Sequence, residues 1–126
     1  MTWPSGIGAI TLFVEDLAAS RHFYLEVFGL EAAFEDDNSV AFKFGDTLVN
    51  LLDVRAAPEL IEPARPADPA AGSRTVISLE VEDVDATCEH LAAQGVQLLN
   101  GPMDRPWGIR TASFRDPAGH IWEIAH

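Results

Sequence analysis

The sequence is poor in cysteine and in basic residues, and both shortages exclude whole classes of function. One cysteine, Cys88, in 126 residues leaves no internal disulfide and no thiolate cage for a metal ion. Eight Lys and Arg against 20 Asp and Glu give a formal net charge of −12. Because nucleic-acid binding needs clustered basic residues on the phosphates, this balance argues against a nucleic-acid partner. The same charge weakly favours cationic or neutral ligands over anionic ones through the long-range field.

Long apolar runs and targeting signals are also missing. Apolar residues make up 48% of the chain, yet no run approaches the roughly 20 residues of a membrane-spanning helix, so no membrane partner is predicted. The first ten residues, MTWPSGIGAI, have no basic region and no small-residue cleavage pattern. We therefore expect a single cytoplasmic domain that buries roughly two thirds of its unfolded surface.

The sequence contains an internal repeat. The segment ITLFVEDLAASRHFYLEVFG at 10–29 aligns with ISLEVEDVDATCEHLAAQG at 77–95, with matching alternation of apolar residues and a Glu-Asp pair in each. Each copy predicts a strand, an Asp that caps a helix, the helix itself and a terminal Gly. Shorter strands follow each copy, joined by turn residues at 45–46 in the first and at 116–119 in the second.

The repeat predicts an α+β fold of two βαβββ modules in tandem, at about 7–53 and 75–126. The intervening residues 54–74 hold four of the eight prolines and show no clean periodicity, so they are predicted to be a linker. A linker of this length lets the modules pair within one chain or across a dimer, and the sequence leaves both arrangements open.

Two segments resemble a known family. The run ITLFVEDLAASRHFYLEVFGL is similar to the opening of vicinal oxygen chelate proteins, a superfamily that includes glyoxalase I, bleomycin resistance proteins, extradiol dioxygenases and fosfomycin resistance enzymes. The closing PWGIRTASFRDPAGHIWEI resembles the C-terminal hairpin of that superfamily, in which a D-P-x-G turn precedes a strand that carries a glutamate. The resemblance implies that each module contributes a curved mixed sheet that cups a small-molecule cavity, and it implies a homodimer.

The resemblance also implies four metal-ligand positions, which fall at Ala9, Asn50, Val76 and Glu123. Only Glu123 keeps a good ligand, whereas a catalytic site of this type needs about three His or carboxylate ligands. The histidines do not replace them, because two lie in predicted helices and the other two alternate to the face opposite Glu123: His22, His90, His120 and His126. We therefore expect no metal and no other cofactor, as in the metal-free members that resemble bleomycin resistance proteins.

Strand alternation predicts what surrounds Glu123. With the second turn at 116–119, Ala112 opposes Glu123 and Phe114 opposes Ile121. Arg110 then becomes a diagonal neighbour of Glu123, within reach of a long side chain.

The first hairpin gives the matching pattern, with Ala41 opposite Asn50. Together the two hairpins and the first strand of each module predict a pocket with apolar and polar contacts. Its predicted ligand-binding residues are Phe13, Leu48, Phe114 and Ile121, the polar Thr11, Asn50, Ser78, Glu80, Arg110 and Glu123, and Trp107 as an aromatic wall. Two alternatives stay open: Glu123 and Arg110 simply neutralise each other, or Trp107 only packs its own loop.

Three functions are compatible with this pocket. The first is metal-independent binding of a small aromatic or cationic ligand, as in antibiotic sequestration. The second is a lyase, isomerase or oxygenase that uses an atypical metal set such as Glu123, Asn50 and Glu80, or Glu123 as an acid–base group. The third is an interaction module whose pocket is vestigial. The lost metal positions favour the first.

Overall fold

Each half of the chain contributes one four-stranded sheet and one long helix to the computed structural model, which describes all residues from Met1 to His126. The chain divides into two units, Met1–Ala67 and Asp68–His126. Both sheets are mixed and open, and in both the first strand of the unit lies beside its last. The predicted α+β class with two βαβββ modules is confirmed.

The first unit contains β1 (Ala9–Val14), α1 (Leu17–Val27), β2 (Ala32–Glu35), β3 (Ser39–Phe44) and β4 (Thr47–Asp53). The strand order is β1-β4-β3-β2, with β1 parallel to β4 and the other neighbours antiparallel. Residues 54–74, predicted to be a linker, contain a 3₁₀ turn at Val54–Ala56, the short helix α2 (Pro58–Ile61) and a second 3₁₀ turn at Pro69–Ala71.

The boundaries of α1 follow from its sequence. The Asp16 carboxylate accepts a hydrogen bond from the Ala19 amide at 3.0 Å, which satisfies one of the free donors of the first turn. Gly29, with φ of 67°, ends the helix in a left-handed conformation. One face of α1 packs on the sheet, where the ring of Tyr24 stacks on that of Phe42 at 5.5 Å between centroids.

The second unit contains β5 (Val76–Glu80), α3 (Val84–Ala93), β6 (Leu98–Asp104), β7 (Arg110–Arg115) and β8 (Ile121–Ala125). The order β5-β8-β7-β6 repeats that of the first unit, and β5 is parallel to β8. Asp83 caps α3 through the Ala86 amide at 3.0 Å, as Asp16 caps α1. In each unit the helix covers one face of the sheet, and we call the opposite face the helix-free face.

The two hairpins differ by one residue in the turn, and this difference overturns one prediction. In the first hairpin Ala41 opposes Asn50, as predicted, and Gly45 and Asp46 form a two-residue turn. In the second hairpin Arg115 opposes Ile121, not His120, so the predicted register is wrong by one residue. The predicted pairs of Ala112 with Glu123 and of Phe114 with Ile121 therefore do not form.

The cause is a three-residue turn closed by Asp116. The Asp116 amide donates to the carbonyl of His120, and the Asp116 carboxylate accepts from the amides of Ala118 and His120 at 3.0 and 2.9 Å. Gly119 has φ of 92°, the left-handed conformation that such hairpin loops use at their last position. Because a one-residue shift moves every side chain to the other face, Phe114 and Ala112 point towards α3.

Gly101 in β6 marks the closest backbone approach of any glycine in the chain. Its φ is 87°, and a Cβ placed on it would lie 2.5 Å from the carbonyl oxygen of Thr111 and 2.8 Å from the Cα of Ala112. The pairing of β6 with β7 shifts register on both sides of Asn100. Only glycine fits where a bulged strand comes this close to its neighbour.

We predict that Gly101→Ala lowers the free energy of unfolding by about 3 kcal/mol, because it adds a steric clash to left-handed backbone strain. Gly72→Ala is the matched control, since Gly72 has φ of 91° but nothing within 4 Å of its Cβ position. It should cost about 1 kcal/mol from strain alone. Urea unfolding of both variants measures the difference, and equal costs would contradict the close approach.

Candidate functional site

The helix-free face of the first unit carries the four residues predicted there. Thr11 on β1 lies directly beside Asn50 on β4, and Asn50 lies beside Ala41 on β3. Leu48 is two residues from Asn50 and Phe13 two from Thr11, so both share this face. Thr11, Phe13, Leu48 and Asn50 are all half-buried. Their predicted placement is correct, and their role in ligand binding stays a prediction.

In the second unit, a hydrogen bond joins two of the predicted polar residues. Ser78 on β5 lies beside Glu123 on β8, and its hydroxyl donates to the Oε1 atom of Glu123 at 2.9 Å. Ile121 and Glu80 share the face with them by alternation. The parallel pairing of β5 with β8 therefore places Glu123 on the helix-free face. There Glu123 is half-buried and accepts a hydrogen bond from Ser78.

Arg110 is the main error in the predicted site. Its Nε and Nη2 donate to the Oδ1 atom of Asp85 on α3 at 3.3 and 3.0 Å, and its Nη1 donates to Asp104 at 3.1 Å. These hydrogen bonds, above all those that Arg110 donates to Asp85, raise the pKa of the guanidinium above its usual range. Arg110 thus points towards α3, and the alternative in which it neutralises Glu123 is excluded by the same geometry.

Phe114 is also misplaced in the predicted site. It opposes Trp122 across the hairpin, and both side chains are fully buried in the core of the second unit. The predicted aromatic contact with a ligand is therefore a core contact instead, because the three-residue turn turns Phe114 to the helix side.

The observed register places on the helix-free face several residues that the sequence prediction missed. Ser113 opposes Glu123, and Thr111, two residues away, shares its face. Arg105 reaches this face, because its Nε donates to the Thr111 hydroxyl at 2.8 Å. The signal available in the sequence was the glycine at 119, which permits a three-residue loop as well as the four-residue turn assumed.

Trp107 lies in the loop between β6 and β7. Its side chain is 68% exposed, so the alternative in which it only packs its loop is not supported. The guanidinium carbon of Arg105 lies 5.9 Å from the centre of the Trp107 ring, within the range of a cation–π contact. The loop itself is closed by hydrogen bonds from the Arg105 amide to Ile109 and from the Gly108 amide to Arg105.

The positions that the family uses for a metal do not offer a suitable donor set. Ala9 and Val76 hold register positions at the start of β1 and β5, beside Leu48 and Ile121, and neither side chain has a donor atom. Glu123 has one oxygen engaged by Ser78. No group of three or more His, Cys, Asp or Glu side chains in the chain is arranged to hold a metal ion.

A separate groove lies in the first unit, around the entry to α1. It has a volume of about 580 Å³ and is lined mostly by charged side chains. Its two arginines are engaged: Arg21 pairs with Glu35 at 2.8 Å, and Arg55 pairs with Asp53 at 2.6 Å. None of the predicted site residues lines this groove.

The family model of the Glyoxalase/Bleomycin resistance protein/Dioxygenase superfamily matches residues 6–124. The chain therefore belongs to this superfamily, as the two quoted segments predicted. No helix in the structure has the length and apolar character needed to span a membrane.

Three proteins are similar to this chain over most of its length. The uncharacterized protein YraH of Bacillus subtilis (strain 168) is 35% identical over 119 residues, which cover 91% of this chain and 93% of YraH. Lactoylglutathione lyase from Agrobacterium tumefaciens superposes with a TM-score of 0.80 at 26% identity, covering 97% of this chain and 93% of the lyase. TnmS3, an antibiotic binding protein from Streptomyces sp. CB03234, superposes with a TM-score of 0.75 at 27% identity, covering 98% of this chain and 97% of TnmS3.

We predict that Arg110 stabilises the second unit through Asp85 and has no coupling to Glu123. A double-mutant cycle of Arg110→Gln with Asp85→Asn should give a small favourable coupling energy, as for solvent-exposed ion pairs. The matched cycle of Arg110→Gln with Glu123→Gln should give none. Urea unfolding measures both cycles, and a coupling confined to Glu123 would contradict the observed pairing.

Proposed function

We propose that the protein binds a small aromatic or cationic organic molecule on the helix-free face of its second unit, without a metal ion and without changing the ligand. Antibiotic sequestration is the type of function we infer. The observation that carries the proposal is the state of Glu123. Its Oε1 accepts from Ser78 at 2.9 Å, whereas its Oε2 makes no hydrogen bond or ion pair within the chain. A half-buried carboxylate with an unused acceptor suits a ligand cation or donor.

The surroundings of Glu123 support an organic ligand. Ile121 on the same strand is half-buried, and Trp107 presents an exposed indole on the neighbouring loop. Binding sites for small molecules combine such apolar surface with a few placed polar groups. The net charge of −12 also weakly favours the approach of a cationic molecule at low ionic strength. The structural similarity to TnmS3, an antibiotic binding protein, supports the same class of ligand.

The chemistry of the donor set supports metal independence. A divalent ion in a protein site takes several His or carboxylate ligands. Two of the four family positions carry alkyl side chains in this chain, Ala9 and Val76, and the amide of Asn50 is a weak ligand.

An enzyme is the second candidate, favoured by the similarity to lactoylglutathione lyase. It would be a lyase, isomerase or oxygenase that recruits a metal through Glu123, Asn50 and Glu80, or that uses Glu123 for proton transfer. Elemental analysis of protein purified without chelators separates the candidates, since a stoichiometric divalent metal would favour the enzyme.

We predict that a panel of aromatic cationic antibiotics contains at least one compound that raises the melting temperature of the EDTA-treated protein. A compound present at 100 times its dissociation constant should stabilise the fold by about 2.7 kcal/mol, which is a shift of several degrees. Glu123→Gln should weaken binding of that compound about tenfold, because it removes a charged acceptor and keeps the shape.

Glu89→Gln on α3 is the control, since it changes the net charge equally at an exposed position on the helix. An equal effect of both variants would show that the long-range field, not contact with Glu123, attracts the ligand. If no compound in the panel shifts the melting temperature, the proposal fails. If binding is restored only by a divalent ion, the metal-independent part fails.

We also propose that the protein acts as a homodimer in the cytoplasm. Large apolar side chains stay exposed on the single chain, among them Trp3 at 80%, Ile7 at 65% and Phe34 at 67%, which suits a further interface. Light scattering after size exclusion should give twice the mass of one chain, and the mass of a single chain would contradict the dimer.

The location in the cytoplasm is a separate part of the proposal. The unpaired Cys88 suits a reducing compartment, and cell fractionation tests the location.

A further inference from the structure

Arg105 is held in place entirely by uncharged groups. Its Nε donates to the Thr111 hydroxyl at 2.8 Å and its Nη2 donates to the Oδ1 atom of Asn100 at 3.3 Å. Thr111 is only 1% exposed, so the anchor of the guanidinium is buried. The indole of Trp107 lies 5.9 Å from the guanidinium carbon. Contacts with Thr111, Asn100 and Trp107 therefore fix the orientation of the Arg105 side chain.

The charge of Arg105 is not used within the chain. The ion pairs of the structure involve Arg21, Arg55 and Arg110, each with one or two carboxylates, and none involves Arg105. Its Nη1 makes no hydrogen bond in the chain. In a sequence with 20 acidic residues, an arginine that is oriented but unpaired stands apart from the structural arginines.

The register places this cation on the same face as Glu123. Thr111, the anchor of Arg105, is a diagonal neighbour of Glu123, because Ser113 lies directly opposite the glutamate. Diagonal positions on adjacent strands are roughly 7–8 Å apart. Arg105 is thus anchored on the strand position that lies diagonally next to Glu123, so a positive and a negative group share this face.

We propose that Arg105 is an oxyanion-binding residue, whose guanidinium takes the carboxylate of an aromatic ligand while Trp107 packs against the ring. The inference rests on the proposed ligand-binding function and deepens it, because it makes the ligand amphoteric, with its anionic end at Arg105 and its cationic or donor end at Glu123. A planar guanidinium with a free edge matches a carboxylate in two parallel hydrogen bonds.

The net charge of −12 does not oppose this subsite. Charges farther away than about 8 Å are largely screened at physiological ionic strength, whereas a contact between guanidinium and carboxylate is not. The Trp107 indole contributes a flat apolar surface with its polar edge free, which suits an aromatic ring beside a charged group.

The test uses two probes that share one ring system and differ in charge: naphthalene-2-carboxylate and naphthalene-2-carboxamide. Isothermal titration of the full chain should show about tenfold tighter binding of the carboxylate. Arg105→Gln should remove that preference and leave the carboxamide affinity within about twofold. Arg105→Lys, which keeps the charge but loses the planar fork, should fall between the two.

Arg74→Gln is the control for net charge, since Arg74 is exposed in the same unit and forms no ion pair. It should keep the preference for the carboxylate. The probe comparison in the unmodified protein needs no variant, so the test stands even if Arg105→Gln fails to fold.

Equal affinity of the unmodified protein for both probes would overturn the inference and leave aromatic binding intact. Equal weakening of both probes by Arg105→Gln would also overturn it, because that is the effect of a residue that only supports the loop. Binding of neither probe would count against the proposed aromatic site itself, and the inference would fail with it.

Discussion

The hydrogen bonds that Asp116 makes across the last turn determine which side chains of β7 share a face with Glu123 on β8. One carboxylate oxygen accepts from two backbone amides, those of Ala118 and His120, and the Asp116 amide donates to the His120 carbonyl. These bonds leave three residues in the turn and pair Arg115 with Ile121. Because alternation has a period of two, this single choice fixes the face of every side chain in β7 relative to β8.

In this register one face of the β7–β8 hairpin carries the large apolar side chains of the core, and the other face carries polar side chains. On the helix side Phe114 and Trp122 pair within the core, and Arg110 reaches Asp85 on α3. On the helix-free side Ser78 and Ser113 flank Glu123 on its two neighbouring strands. Arg110, which pairs with two carboxylates, and Arg105, which pairs with none, therefore lie on opposite faces, and Arg105 is the arginine that we propose for ligand binding.

The helix-free faces lack metal-binding side chains at two of the four positions that the family uses for a metal ion. The family's metal positions hold two alkyl side chains, Ala9 and Val76, so Glu123 has no set of partners for a divalent ion. In their place the second unit presents a carboxylate, a guanidinium and an indole, from Glu123, Arg105 and Trp107. Carboxylates, guanidinium groups and indoles bind organic molecules by charge and by stacking, and for this reason we propose binding as the function.

Local spacing along the chain was enough to predict the repeat, the Asp caps of both helices, the α+β class, and the faces of β1, β4, β5 and β8. Thr11, Asn50, Ser78 and Glu123 were placed correctly for that reason. The turn at Asp116, the helix-side positions of Arg110 and Phe114, and the anchoring of Arg105 on Thr111 became visible only in the folded chain. The sequence around Asp116 is compatible with turns of two, three or four residues. Which turn forms depends on backbone hydrogen bonds and on core packing between residues distant in the chain.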